Sequence, residues 1–468
     1  MQLGPAYKPD TAFLTLGQDF GDEVEAAHFP KTILRYRNTR AAKTVGLDTL
    51  TDNEWLDHFG RFAPLPGTLT APIAQRYHGH QFRSYNPNIG DGRGFLFAQM
   101  RDTSGRLMDL GTKGSGQTPH SRDGDGRLTL KGGVREIMAT EMLEALGVTT
   151  SKTFSIIETG ENLHRGDEPS PTRSAVMVRL NHGHIRIGTF QRHAYYSDIE
   201  RLERLVDYCL KHYYGTESKA NTQDKTLEFL ALVTEKIALQ AAELMAAGFV
   251  HGVLNTDNIN ITGEVFDFGP WRFLPVMDLS FTAAYFDQTG LYAFGRQPDA
   301  LHWNMYQLGG ALVDLAEETA LKEVLAHFPK LYLSALRTKL LARLGVKAKG
   351  DKEDDALLAT INNFMVQHTF PYERFFFDWY GGGASANRAA KSPEAKSYTR
   401  DLKAALTSYS PRKADALSHP YFAGNGPCTM LIEEVETLWS HIDERDDWQP
   451  LHEKIDAIRK MSKALTLR

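Results

Sequence analysis

Two short segments carry the residue types that bind a divalent cation beside a phosphate group. Asn258 ends the stretch His251–Asn258, and Asp267 begins Asp267-Phe268-Gly269 nine residues later. An amide oxygen and a carboxylate suit Mg²⁺, a hard cation that keeps several waters and bridges nucleotide phosphates. A loop asparagine and a turn aspartate are each common, but their pairing at this spacing favours a metal site. We therefore predict that Asn258 and Asp267 bind Mg²⁺, with Mn²⁺ as the alternative ion.

The first segment has the spacing of the catalytic loop of protein kinases, in which a histidine precedes the metal-binding asparagine by seven residues. Kinases place a catalytic aspartate two residues after that histidine, but this chain has Val253 there. The only carboxylate inside the loop is Asp257, adjacent to Asn258. A proton acceptor would therefore have to act from a different position relative to the nucleotide.

A second pair of residues follows the order in which kinases arrange the groups around the ATP phosphates. Lys113 ends a predicted strand, and Glu136 lies at the start of the next predicted helix, 23 residues later. Kinases use such a lysine on the phosphates and such a glutamate to steady it. Because a strand-end lysine and a helix glutamate are common, the pair supports a nucleotide site only together with the loop and Asp267.

Two glycine-rich tracts could let backbone amides approach an anion closely. The tract Gly111–Thr118 has Gln117 where a P-loop requires lysine, and Gly90–Gly94 lacks the last glycine of the dinucleotide and kinase patterns. Each tract alone is more simply interpreted as a turn.

Arg179 and Arg186 flank the segment at which predicted strands give way to long predicted helices, which is the predicted boundary between two lobes. Guanidinium groups fit phosphate oxygens with a fixed fork of donors, so this position favours a binding role over a solvated surface charge. The two His-Gly-His segments, at residues 78–80 and 182–184, lack a third ligand at zinc spacing. We therefore do not predict zinc.

The composition argues against several classes of protein. The 468 residues include 53 basic and 58 acidic side chains, a formal net charge of −5, with no Lys/Arg block. Nucleic-acid binding as the main activity is therefore not expected. Apolar residues make up 42% of the chain, enough for sizeable cores in two large lobes or about three units of ~150 residues.

The cellular compartment is predicted from the low number of cysteines and from the lack of signal and membrane-spanning segments in the sequence. The two cysteines, Cys209 and Cys428, cannot build a thiolate metal site and could form one bridge at most. Residues 1–5 lack the charged start of a secretory signal, and no run approaches the ~18 apolar residues of a membrane span. We expect a cytoplasmic protein that binds no membrane, and a monomer.

The elements that must position these residues form two regions. Strands are predicted at 94–100, 107–110, 153–158 and 175–180, with one helix at 137–147 among them. Long helices are predicted at 198–212 and 225–247, with short β pieces at 259–261 and 265–266 and polar breaks at 350–355 and 381–383. This order predicts an α+β, bilobal, protein-kinase-like fold with a strand-rich N-lobe (1–185, including an N-terminal extension) and a larger helical C-lobe (186–468). Any site would lie in the cleft between them.

Over roughly residues 10 to 320 the chain resembles the selenoprotein-O (YdiU) family, pseudokinase-fold protein adenylyltransferases. The likeness rests on long strings that occur in the same order: Arg76–Phe82, Gly90–Arg93, Lys113–Gly116, Thr118-Pro119, Ser121-Arg122, Gly124–Arg127, Arg135-Glu136, His184–Gln191 and His251–Asn258.

The resemblance implies transfer of AMP from ATP to a Ser, Thr or Tyr hydroxyl of a protein, the enzyme itself included, with release of pyrophosphate. It implies a nucleotide bound in the reverse orientation to that in kinases, so that the α-phosphate faces the acceptor. By the same resemblance Asp257 accepts the proton, Asn258 and Asp267 hold the metal, and Lys113, braced by Glu136, contacts the phosphates. The residues that would line the ATP site are Gly90, Gly92, Arg93, Asp125, Gly126, Arg179 and Arg186.

The sequence departs from the family after Asp267-Phe268-Gly269-Pro270, where Met277–Phe286 replaces the usual stretch with a cysteine and histidines. The C-terminal third matches the family poorly and carries no cysteine or selenocysteine motif at its end. Redox control and acceptor choice are therefore not carried over from the family's pattern. Two other functions stay open at this stage: a γ-phosphoryl protein kinase, and a non-catalytic nucleotide-binding pseudokinase scaffold.

Overall fold

The structure, a computed structural model, describes residues 3–166, 168–216 and 221–467, so the segment 1–5 is described only from residue 3. Its strands, in chain order, are β1 (Pro9–Asp10), β2 (Gly21–Glu23), β3 (Ile33–Arg37), β4 (Ile73–Gln75), β5 (Gly79–Gln81), β6 (Ser84–Asn86), β7 (Leu96–Arg101), β8 (Leu107–Lys113), β9 (Leu128–Thr129), β10 (Lys152–Leu163), β11 (Thr172–Asn181), β12 (Phe249–His251) and β13 (Trp271–Phe273).

The α-helices are α1 (Thr39–Thr44), α2 (Asp52–Phe59), α3 (Leu130–Ala145), α4 (Ile187–Tyr195), α5 (Ile199–Cys209), α6 (Thr222–Ala246), α7 (Gln297–Gly310), α8 (Glu318–Leu325), α9 (Phe328–Leu344), α10 (Asp351–Gln367), α11 (Tyr372–Trp379), α12 (Ala386–Ala390), α13 (Arg400–Thr407), α14 (Ile432–Arg445) and α15 (Gln449–Leu465). Among the described residues, no helix combines the length and the apolar character needed to cross a bilayer.

An antiparallel nine-stranded sheet dominates the N-terminal region, in the order β2-β4-β7-β8-β11-β10-β3, with β1 added to β7 and β9 to β11. The strands predicted at 94–100 and 107–110 are confirmed as β7 and β8, which form a hairpin joined by a turn in which Gly105 has φ +82°. Asp102 stabilises this turn because its carboxylate accepts hydrogen bonds from the backbone of Ser104 and Arg106, both at 2.9 Å. The predicted strands at 153–158 and 175–180 are confirmed within β10 and β11.

Both faces of this sheet are covered. On one face α2 begins at a capping box, in which the Thr51 side chain accepts from the backbone of Glu54 and the Glu54 carboxylate accepts in return. This cap places Trp55 in stacked contact with Phe154 of β10, at 4.9 Å between ring centroids. On the other face lies α3, whose core is continuous with that of the helical region.

Helix α3 begins earlier than the sequence predicts. The Thr129 side chain caps it by accepting from the backbone of Gly132 at 3.1 Å, so Gly132 and Gly133 lie inside the first turn. A Cβ on Gly133 would lie 3.2 Å from Ile156, so its lack of a side chain lets α3 approach β10 closely. Glu136 consequently lies in the second turn and not at the start of the helix.

The helical region contains both long predicted helices, as α5 and α6. The β pieces predicted at 259–261 and 265–266 are wrong as strands, because Asn260 and Val265 form only single bridges, to Arg186 and Thr150. Asn260 instead makes a turn: its side chain donates to Gly183 O at 2.6 Å and accepts from the backbone of Thr262 at 3.1 Å.

The polar break predicted at 350–355 is also wrong beyond residue 350. Helix α10 starts at Asp351, since the acidic residues of its first turn, Asp351, Glu353 and Asp354, are favourable at a helix N-terminus.

With a sheet-rich N-terminal region followed by a helical C-terminal region, the predicted α+β, kinase-like fold is confirmed. Cys209 and Cys428 are free thiols.

A buried ion pair anchors the end of α6, just before the loop that carries the candidate catalytic residues. Arg343 of α9 contacts both carboxylate oxygens of Glu373 at 2.7 Å and donates to the carbonyl of Ala246 at 3.1 Å. Only 2% of the Arg343 side chain and 8% of that of Glu373 are exposed.

We predict that Arg343→Met lowers the free energy of unfolding by about 3–5 kcal/mol, because it leaves the Glu373 carboxylate buried and unpaired. The double variant Arg343→Met/Glu373→Leu should recover most of the loss, since it removes both charges. Urea unfolding of the three proteins measures the difference. Equal destabilisation in the single and double variants would contradict the prediction.

Candidate active site

A cleft of about 790 Å³ lies between the N-terminal sheet, where β8 and β11 contribute to its lining, and the loop that follows β12. Of the site residues predicted from the sequence, all but one line this cleft: Gly90, Gly92, Arg93, Lys113, Asp125, Gly126, Arg179, Arg186, Asp257, Asn258 and Asp267. The exception, Glu136, contacts the cleft through Lys113.

Asp267 is the centre of a cluster of charges. Its carboxylate accepts two hydrogen bonds from Arg179, at 3.0 and 3.3 Å, and lies 3.1 Å from Nζ of Lys113 and 3.5 Å from Nη1 of Arg186. Lys113 Nζ also lies 2.7 Å from Oε1 of Glu136, as the sequence predicts. Burial alone would raise the pKa of Asp267, but Arg179, Lys113 and Arg186 outweigh it and hold that pKa well below its usual value. The carboxylate is therefore ionised.

The sheet geometry explains why two of these cations converge. Lys113, at the end of β8, pairs across the sheet with Met177 of β11, and Arg179 lies two residues further along β11. Because residues two apart on a strand face the same side, Lys113 and Arg179 project from one face. That face is the one closed by Phe266, whose ring lies 5.0 Å below the Arg179 guanidinium.

Arg186 connects several parts of the cleft. One of its nitrogens donates to the main-chain oxygen of Asp257 at 2.9 Å, and the other donates to the carboxylate of Asp91 at 3.1 Å. Its guanidinium lies over the ring of Tyr77 at 4.3 Å and that of Phe266 at 4.9 Å. This packing fixes a fully buried cation in place.

Asp257 differs sharply from Asp267. Its carboxylate is buried, accepts only a long 3.4 Å hydrogen bond from Gln81, and has one oxygen, Oδ1, with no partner among the described residues. Arg186 reaches the main chain of Asp257 and not its side chain. Burial therefore dominates and raises the pKa of Asp257 to about 6, although Arg186 and Gln81 oppose it. A carboxylate with this pKa can accept a proton near neutral pH.

The β5–β6 hairpin holds the loop that carries Asp257. The Thr256 hydroxyl accepts from the backbone of His80 at 2.7 Å and donates to Gln191 at 2.7 Å. The Asn255 side chain accepts from the backbone of Phe82 at 3.0 Å. His80 is thus part of a structural network, since its ring bonds the Gln191 amide at 2.7 Å.

The glycine tracts form the mouth of the cleft by packing tightly on each other. A Cβ on Gly90 would lie 2.6 Å from the His120 ring, and one on Gly92 would lie 2.8 Å from the His120 carbonyl. Gly126 has φ +68°, and a Cβ there would meet the backbone of Gly116 at 2.2 Å. No larger residue would allow this approach.

Exposed charges surround the mouth. Asp125 pairs with both terminal nitrogens of Arg165, at 2.8 and 3.1 Å, which lowers the pKa of Asp125 against the effect of burial. Arg93 is exposed at the rim. Together with the buried cations, these arginines make the cleft more basic than the acidic chain as a whole.

Asn258 and Asp267 suit a magnesium ion. The Asn258 side-chain nitrogen donates to the carbonyl of Val253 at 3.0 Å, so its amide oxygen is the atom that can bind a cation. Asp267 supplies an ionised carboxylate in the same cleft. Within the described residues no three His, Cys, Asp or Glu side chains are grouped to hold a metal, so remaining ligands would be waters and phosphates, as Mg²⁺ prefers.

Sequence reasoning gave no role to three residues of the site. Tyr77, Gln81 and Asp91 contact Arg186 or Asp257, and each lies inside a string that carries the family resemblance. Their positions within those strings are the sequence feature that could have identified them as site residues. Arg165, which pairs with Asp125 from the loop after β10, has no such signal.

The chain matches the family model described as Protein adenylyltransferase SelO over residues 5–459. It is 40% identical to the protein nucleotidyltransferase YdiU of Synechocystis sp., over 98% of this chain and 98% of that protein. It is 42% identical to the YdiU protein of Gloeobacter violaceus, over 97% of this chain and 95% of that protein. The expectation that the likeness ends near residue 320 is therefore wrong, because both comparisons include the C-terminal helices. The chain belongs to the SelO family of protein adenylyltransferases.

Proposed function

We propose that this chain transfers AMP from ATP to Ser, Thr or Tyr hydroxyls of proteins in the cleft between the sheet and the loop after β12. The observation that carries the proposal is the position of the base. Val253 lines the cleft where a kinase has its catalytic aspartate, whereas Asp257 presents a buried carboxylate, with a pKa raised by burial to about 6, at the same cleft.

ATP would bind with its phosphates against the cations around Asp267. Lys113, Arg179 and Arg186 can stabilise charge on the phosphate oxygens, since preorganised donors in a water-poor site are effective there. Gly90, Gly92, Gly126, Arg93 and Asp125 would contact the nucleotide from the mouth. In the reverse orientation that the family resemblance implies, the α-phosphate would face Asp257.

In the reaction, Asp257 takes the proton from the acceptor hydroxyl. The hydroxyl oxygen forms a bond to the α-phosphorus while the bond from that phosphorus to the oxygen bridging to the β-phosphate breaks. Pyrophosphate leaves with the electron pair of that bond, and AMP remains on the protein. Proton transfer of this kind contributes about 10²–10⁴-fold to the rate.

We propose that Asn258 and Asp267 hold Mg²⁺, and Mn²⁺ as the alternative ion. A bound divalent cation neutralises charge on phosphate oxygens. Asp267 is prepared for this role because its three cationic neighbours keep it ionised, and Glu136 keeps Lys113 directed into the cleft.

We propose that residues 1–185 and 186–468 form the two lobes, and that the protein acts as a cytoplasmic monomer. The enzyme itself is proposed as one of its acceptors.

We predict that the protein incubated with Mg²⁺ and α-labelled ATP transfers label to protein, and that γ-labelled ATP does not. Peptide mapping by mass spectrometry should find a gain of AMP on a hydroxyl, and EDTA should prevent it. Label from the γ position without label from α would identify a kinase instead. ATP binding with no transfer of either label would identify a scaffold.

The pH dependence of the rate should follow the protonation of the Asp257 carboxylate. Because the base acts only when deprotonated and its pKa is about 6, kcat/KM for the acceptor should fall tenfold per pH unit below about 6, at saturating ATP and Mg²⁺. Asp257→Asn should lower kcat by about 10²–10⁴-fold. Asp401→Asn, an exposed aspartate on α13, serves as the matched control.

Asp257 should also make the free energy of unfolding depend on pH. Low pH, which lowers the rate, should favour the folded state. Its pKa is raised from 3.8 to about 6 in the folded chain, so the protonated form contributes stability that is present below pH 3.8 and lost as pH rises through about 6. Asp257→Asn stays neutral and should be more stable at pH 8 by up to about 3 kcal/mol. In urea unfolding this difference should shrink toward pH 4; a difference independent of pH would contradict the prediction.

A further inference from the structure

Three exposed aromatic side chains form a surface beside the loop of Asp257, which we call the aromatic ledge: Phe82, Tyr285 and Phe286. Their exposed fractions are 38%, 84% and 46%. The ring centroids of Phe82 and Phe286 are 5.8 Å apart, and those of Tyr285 and Phe286 are 5.2 Å apart. Contiguous exposed aromatic side chains mark interaction sites more often than single exposed apolar residues do.

The ledge is attached directly to the candidate base. Gln81, which contacts the Asp257 carboxylate, immediately precedes Phe82, and the backbone of Phe82 donates to Asn255 in the same loop. Tyr285 follows Ala284, whose Cβ lies 3.2 Å from the position that a Cβ on Gly252 would occupy. A chain lying on the ledge would therefore pass close to the side of the cleft at which Asp257 lies.

The turn that presents Phe82 uses residues that its geometry disfavours. Phe82 and Arg83 form the two-residue connection of the β5–β6 hairpin, with φ values of +49° and +64°. Such turns strongly prefer Asn-Gly, because both central residues need positive φ. The turn geometry favours neither an aromatic nor a cationic residue at these positions, and both residues are exposed at its tip. Backbone held in a disfavoured conformation next to a reactive group indicates a functional constraint.

Arg83 adds a positive charge to the ledge. Its guanidinium lies 5.4 Å from the Trp303 ring, and it is exposed. Within residues 3–166, 168–216 and 221–467 it forms no ion pair. An acidic group of a binding partner could therefore pair with it without breaking an ion pair among these residues.

We propose that the aromatic ledge and Arg83 bind the acceptor segment of the protein substrate. The segment would be extended, with an apolar or aromatic side chain on Phe82 and Phe286 and an acidic side chain on Arg83, close to the hydroxyl that receives AMP. This inference rests on the proposed function and assigns the chemistry of its acceptor.

A position-scanning peptide library with a fixed Ser, Thr or Tyr acceptor tests this preference with α-labelled ATP. The wild-type protein should select aromatic and acidic residues at defined positions beside the acceptor. Arg83→Glu should convert the acidic preference into a basic one. Arg400→Glu, an exposed arginine on α13, should leave the profile unchanged.

The variant Phe82→Asn/Arg83→Gly separates acceptor binding from folding. Because it installs the residues that the turn prefers, it should unfold at the same or a higher urea concentration than the wild type. Its kcat/KM for the best peptide should nevertheless fall about tenfold or more, as for loss of an aromatic anchor. The Kd for ATP should stay within about twofold, because neither side chain lines the nucleotide cleft. Phe286→Ala should likewise lower kcat/KM for this peptide, whereas Leu333→Ala, at an exposed apolar residue on α9, is its matched control and should leave kcat/KM unchanged.

Three outcomes are informative. A wild-type protein that transfers no α-label to any protein or peptide would overturn the proposed function, and with it this inference. Transfer with a flat peptide profile, or a profile unaffected by Arg83→Glu, would overturn the inference alone. Loss of selectivity in Phe82→Asn/Arg83→Gly with an intact fold would support it.

Discussion

The ionised carboxylate of Asp267 is the group around which the cleft is organised. A buried charge is costly unless it is paired, and removal of one partner leaves the others uncompensated. Here the partners come from separate elements: Lys113 from β8, Arg179 from β11 and Arg186 from the residue before α4. Glu136 extends the cluster to α3. The sheet, the helix behind it and the loop after β12 are thereby held in one arrangement.

The two aspartates of the loop region have opposite pKa shifts within one cleft. Asp267 is surrounded by cations and stays ionised, whereas Asp257, only ten residues earlier, is buried with a single long hydrogen bond and has a pKa raised to about 6. Environments that shift the pKa values of two carboxylates in opposite directions separate a charge-stabilising group from a proton acceptor. The proposed assignment of roles follows this separation and not the sequence motif alone.

The sequence predicted those parts of the molecule that depend on local patterns or on spacing along the chain. The β7–β8 hairpin, α6 and the Lys113–Glu136 contact belong to this group. What could not be predicted depends on contacts between distant segments. Asp91 reaches Arg186 across 95 residues, and Gln81 reaches Asp257 across 176. Asn260 forms a turn in place of a strand because its side chain bonds Gly183, 77 residues away.

Arg186 joins the two halves of this arrangement, since one guanidinium touches the main chain of Asp257, the carboxylate of Asp91 and the carboxylate of Asp267. A ligand that draws Arg186 toward itself must weaken at least one of these three contacts. In the proposed reaction, nucleotide binding and the position of Asp257 are for this reason thermodynamically linked. Changes at these residues will not combine additively, and no single member of the set has an energetic contribution that can be separated from the others.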